Sequence, residues 1–163
     1  ERVGFRQTVE AQWHANRGAL ALARAELGSW PTNQWDSGGN LERFAAAKIQ
    51  LEQALAIDPD NRTANHRMGI IAMVARDYET AVTYLEEAQL QTEGHRGIIK
   101  SLGYSYVWTS QFDEAKEVLQ PIQEARAEMA VYSNWWGRQN RHDLAVKASE
   151  MVPMLENPTL SSR

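Results

Sequence analysis

From Asn61 to Ile122 the chain repeats itself at a fixed offset of 34 residues. Met68-Gly69 recurs as Leu102-Gly103, Ala72 as Tyr106, Tyr78 as Phe112, Ala81 as Ala115, Leu85 as Leu119 and Ala88 as Ile122. Taken backwards, the same offset meets Phe44, Ala47, Leu51 and Ala54. Each unit reads as a helix A carrying an apolar-Gly pair, a short turn, and a helix B that opens on an aromatic residue and continues with Ala and Leu at helical spacing. A mid-helix Gly costs about 1 kcal/mol relative to Ala when exposed. Its recurrence at Gly69 and Gly103 therefore predicts that helix B approaches the backbone of helix A closely, with Ala81 and Ala115 permitting the same from the other side.

A 34-residue helix–turn–helix unit with small residues at two fixed points resembles the tetratricopeptide repeat, TPR. The resemblance covers residues 41–122 strongly and most of the remainder weakly. It implies an all-α TPR solenoid, a right-handed superhelix of about eight helices stacked as helix pairs around a continuous core.

Along the chain, one solenoid domain is expected over residues 1–155. A first helix spans about 5–28, with Phe5, Val9, Trp13, Leu20 and Leu27 near one face and Gly18 in the Gly position of a degenerate helix A. Gly28 stops it and Pro31 prevents its resumption. The first unit (about 5–60) then carries an insertion at 29–40, rich in Pro, Gly, Asn, Asp and Ser, whose Trp30 and Trp35 are expected to dock back on the solenoid. Helix B1 runs over about 41–57 and ends at Asp58-Pro59-Asp60-Asn61, where Asp60 or Asn61 caps the next helix. The second unit (about 61–94) holds A2 at 62–75 and B2 at 78–91. The third (about 95–120) holds A3 at 96–109 and B3 from Phe112. Pro121 cannot continue B3 but is tolerated as the first residue of a helix, so a compressed fourth unit (about 121–155) follows. Phe112-Asp113-Glu114-Ala115 indeed returns as His142-Asp143-Leu144-Ala145 at an offset of 30. A4 is then expected at 122–138 and B4 at 141–152, closed by Pro153, with a disordered tail at 156–163.

Chemistry-bearing patterns are absent. The net charge is −4 with scattered Lys and Arg, which disfavours nucleic acid as a partner. There is no Cys, and the four histidines lie in different units without H-x-x-x-H spacing, so no metal site is expected. No G-x-S-x-G, P-loop or dinucleotide fingerprint occurs, so no cofactor and no enzymatic activity are expected. No apolar run is long enough to span a bilayer, and membrane insertion is not expected. The sequence opens at Glu1 without Met or signal peptide, which suggests a mature product or a fragment. Lack of Cys fits the cytosol and an exported protein equally. Asn61-Arg62-Thr63 fits a glycosylation sequon, but the inter-repeat cap already accounts for Asn61.

What remains is surface. Counting from each Gly, the resemblance implies a concave groove lined by His66, Arg67, Ile70 and Met73 in the second unit, Lys100, Tyr104 and Trp108 in the third, and Asn134 and Arg138 in the fourth. Aromatic anchors flanked by basic groups suit an extended peptide or a helix carrying acidic groups. The family's carboxylate clamp for chaperone C-termini is not expected: only Lys100 matches it, with Ile70 and Tyr104 where its Asn residues would stand. A non-catalytic protein-interaction scaffold is the expected function. One alternative is head-to-tail self-association into an oligomer or filament, through Phe5, Val9 and Trp13 at one end and Leu144, Met151 and Val152 at the other. Another comes from the pattern E-A-R-x-E-x-x-V-Y-x-x-W-W at Glu124 to Trp136, preceded by the Trp-Pro loop. It resembles the soluble tails of bacterial O-antigen ligase and polymerase membrane proteins, and implies an extramembrane accessory domain of a glycan enzyme.

Overall fold

Every regular element is a helix in the computed structural model, which describes residues 2–28, 41–92 and 94–155, with side chains from Arg6 onward. The order is α1 (Arg2–Leu27), a 3₁₀ turn (Leu41–Phe44), α2 (Ala45–Ile57), α3 (Arg62–Val74), α4 (Tyr78–Leu90), α5 (Arg96–Trp108), α6 (Phe112–Leu119), α7 (Ala125–Arg138) and α8 (His142–Met154). No strand occurs among the described residues. No helix there is long and apolar enough to cross a membrane. The insertion with Trp30 and Trp35, and the tail at 156–163, lie outside the described residues.

The close approach expected at Gly closes three helix pairs, and in each a Leu of the second helix makes it. A Cβ on Gly18 of α1 would lie 2.6 Å from Leu51 of α2, and one on Gly69 of α3 would lie 2.6 Å from Leu85 of α4. Gly103 of α5 meets Leu119 of α6 in the same way. The Leu side chain inserts where Gly lets the backbones approach, and Ala47, Ala81 and Ala115 are buried beside it. The turns are equally repetitive. After α3 the N–H of Asp77 donates to Ala72 O (3.0 Å) and that of Arg76 to Met73 O (3.0 Å). Gln111 and Ser110 repeat this to Tyr106 O (2.8 Å) and Val107 O (3.1 Å), and Arg141 and Asn140 to Trp136 O (3.0 Å) and Gly137 O (3.2 Å). These are Schellman closures, with Arg76, Ser110 and Asn140 in the left-handed region at φ 62°, 65° and 57°.

The described residues fall into two compact units, divided between Ile98 and Ile99 within α5. In the first, α1 packs on α2 and α3, and α3 on α4. One cluster joins Leu22 of α1, Phe44, Leu51 of α2 and Met68 of α3. In the second, α8 packs on α7 and α6.

Three expectations need correction. The buried row of α1 is Ala11, Ala15, Gly18 and Leu22, while Val9, Trp13, Leu20 and Leu27 are exposed. Small residues win because only they let α2 come close enough for Leu51 to reach Gly18. Pro121 does not open the next helix: it sits in a turn with Ile122 N–H donating to Leu119 O (2.9 Å), and α7 starts at Ala125. Pro153 does not end α8 but lies inside its last turn. There its missing N–H leaves only the carbonyl of exposed Ser149 without a helical donor.

The fourth pair keeps the 30-residue offset at its turn but not at its core. Leu144, Ala148 and Met151 are buried and Ala145 only partly so. Ser133 and Ser149 occupy the positions equivalent to Gly103 and Leu119. Without that Gly–Leu contact, α8 turns its other apolar row inward.

Candidate functional site

In the first unit the groove candidates share the α3 face. Asn61 starts that helix: its Oδ1 accepts from the Ala64 N–H (3.1 Å) and its Nδ2 donates to Asp58 Oδ2 (3.3 Å). One turn on, Asn65 Nδ2 donates to Pro59 O (2.8 Å). Both Asn side chains are buried, so the Asp58–Asn61 turn is fixed by polar groups that have nowhere else to bond. This holds His66, Arg67, Ile70 and Met73 on one side of α3, all half-buried.

The His66 ring meets that of His95 edge to face, with centroids 5.5 Å apart. His95 stands ahead of α5, where its Nδ1 accepts from the Ile98 N–H (3.3 Å). Arg67 Nε is buried without an acceptor. Burial, then the charges of Arg67, His95 and Arg62, lower the pKa of His66 to about 4. His66 is therefore neutral near pH 7 among basic neighbours.

In the second unit the candidate residues are engaged by the chain itself. Tyr104 and Trp108 are only 6% and 5% exposed. Lys100, Tyr104 and Trp108 form a row at four-residue spacing on α5, and it meets a row at the same spacing on α7. Lys100 Nζ lies 3.2 Å from the Glu124 carboxylate and 2.9 Å from that of Glu128. The Tyr104 hydroxyl donates to Glu128. Tyr132 packs edge-on against Tyr104 and Trp108, each at 5.6 Å, and Trp136 against Trp108 at 6.0 Å. Lys147 of α8 donates to the Trp108 carbonyl (2.6 Å), satisfying one terminal acceptor of α5. Burial lowers the Lys100 pKa, but its bonds to Glu128 and Glu124 outweigh that and the net shift is upward. Burial, reinforced by Glu128, raises that of Tyr132.

The expectation that Trp108 and Tyr104 line an open surface is thus corrected: α7 covers both. The residues that cover them were legible as Glu124, Glu128, Tyr132 and Trp136, each four positions after the last, within the pattern noted at Glu124 to Trp136. In this structure that pattern is a packing row. Asn134 is exposed and spends its Nδ2 on the Ala130 carbonyl (3.0 Å), and Arg138 is exposed in the last turn of α7.

Of the residues expected to mediate self-association, Val9 and Trp13 are 53% and 51% exposed. Leu144 and Met151 are buried within the second unit, and Val152 is half-buried. The Phe5 side chain lies outside the described residues. Among the described residues no group of three or more His, Asp or Glu side chains is placed to hold a metal ion. No family model matches this chain, and no curated protein matches it.

Proposed function

We propose that the chain is a non-catalytic scaffold of the TPR type, a right-handed solenoid of helix pairs that binds a protein or peptide partner. The observation that carries this is the Gly–Leu contact recurring at Gly18–Leu51, Gly69–Leu85 and Gly103–Leu119. Pairing through Gly69 and Leu85 commits one side of α3 to α4 and leaves another for a partner. On α3 the residues proposed to meet a partner are His66, Arg67 and Met73, with Ile70 beside them and packed in part against the core. Tyr104 and Trp108 are occupied by α7, so the partner is proposed to meet α3 and not that row.

A displayed random-peptide library, selected on the wild-type chain and counter-screened on Arg67→Glu and Met73→Glu, tests this. Enriched peptides are expected to lose about tenfold or more in affinity on either variant. Absence of enrichment, or peptides that bind both variants unchanged, contradicts it.

A second reading is self-association through α1, favoured by the exposed Val9 and Trp13 side by side on one helix face. Sedimentation of the chain with and without Trp13→Ser decides it: a concentration-dependent dimer lost in the variant supports it, and a monomer throughout removes it.

A further inference from the structure

We infer that His66, His95, Arg62 and Arg67 form a proton-linked site for an acidic segment of a protein partner. This rests on the peptide-binding reading above and names the ligand chemistry of the same α3 face.

Three features of the first unit converge on it. The rings of His66 and His95 are paired at 5.5 Å. Gly97 adds no side chain beside them: a Cβ there would stand 3.3 Å from His95 Cε1 and 3.9 Å from His66 Cε1. Among the described residues neither Arg62 nor Arg67 is ion-paired, and Arg67 Nε is buried without an acceptor. A half-buried guanidinium without an ion pair gains charge-assisted bonds when a carboxylate reaches its terminal nitrogens. Arg62 lies one turn before His66 and Arg67 on α3, and half-buried Met73 follows further along, with Ile70 between them packed in part against the core. A ligand that answers both parts carries acidic groups next to apolar ones, which is a peptide and not a lone anion.

The proton linkage follows from the neighbours of His66. Among the described residues the charged groups acting on its ring are Arg67 and Arg62 on its own helix and His95 ahead of α5, with no carboxylate. In the free chain burial and these charges keep the imidazole neutral down to about pH 4. A bound carboxylate beside the ring stabilises the imidazolium and returns it toward its ordinary value near 6.5. Binding therefore takes up a proton between those limits, and affinity rises as pH falls.

The test is fluorescence anisotropy with a labelled Glu-Leu-Glu-Glu-Leu-Glu peptide and its Gln-for-Glu counterpart, at constant ionic strength. The acidic peptide is expected to bind about tenfold tighter at about pH 5 than at about pH 7, and the Gln peptide not to bind. Arg62→Gln, at an exposed position that leaves the fold intact, is expected to weaken binding several-fold at both pH values. His66→Gln should cut the gain in affinity between about pH 7 and about pH 5 several-fold, and an unchanged gain in that variant overturns the linkage. Equal affinity at both pH values, equal binding of the Gln peptide, or indifference to Arg62→Gln overturns the site, as does inorganic phosphate binding more tightly than the peptide. Library peptides that depend on Met73 but carry no acidic residues overturn this inference while leaving the scaffold reading intact.

Discussion

Leu85 packs against Gly69 so closely that a Cβ on residue 69 would lie 2.6 Å from Leu85 Cγ. Helix propensity alone favours Gly69→Ala by about 1 kcal/mol. Leu85 is fully buried, and both its Cγ and Cδ2 would stand closer than 3 Å to that Cβ. Overpacking of about 1–3 kcal/mol should therefore win, leaving the variant less stable by up to about 2 kcal/mol in urea unfolding. A stabilised variant would show that α3 and α4 do not meet there.

Ser110 closes α5 at φ 65°, a conformation that disfavours residues with a Cβ. Ser110→Gly should stabilise the chain by about 0.5–1 kcal/mol, a gain reduced by the greater entropy of Gly in the unfolded state. Asn140→Gly should give less, because Asn tolerates that region. A loss of thermal stability in Ser110→Gly contradicts the Schellman closure.

Trp108 and Lys100 belong to one row but differ in weight. Trp108→Ala empties the space between Tyr132 and Trp136 and should cost about 3–5 kcal/mol. Lys100 is partly solvated with its two Glu partners, and Lys100→Met should cost only about 1 kcal/mol. Comparable losses in chemical denaturation would mean that the charged end, not the aromatic end, anchors α7.

His66 makes stability pH-dependent in the free chain. Its folded pKa lies below the unfolded value, so the unfolded chain takes up the proton first. Its contribution is complete above about pH 6.5 and is lost as pH falls toward about 4. His66→Gln should flatten that part of the urea-midpoint profile, and an identical profile in the variant contradicts the assignment.

The helix pairs were legible because Gly69, Gly103, Leu85 and Leu119 recur at one spacing and the contact they make is local to each pair. Pro121 likewise announced a short α6. The aromatic row was not read correctly, although Lys100, Tyr104 and Trp108 were singled out. Whether such a row faces solvent depends on what the next helix brings, and Glu128, Tyr132 and Trp136 complement it residue by residue. On α1 the larger apolar row looked like the core, but backbone approach at Gly18 decided the face. On α8 the repeat spacing survived in the turn at Asn140 and failed in the core, where Ser133 and Ser149 replace Gly and Leu. The pairing of His66 with His95 joins residues from different repeats, and no spacing within one repeat reveals it.

The most direct test of partner binding on the α3 face is backbone and methyl NMR of the chain titrated with a library-selected peptide. Shift changes are expected to concentrate at His66, Arg67, Ile70 and Met73, with Tyr104 and Trp108 little affected. Changes confined to α1 or to α7 and α8, with α3 silent, would contradict the account.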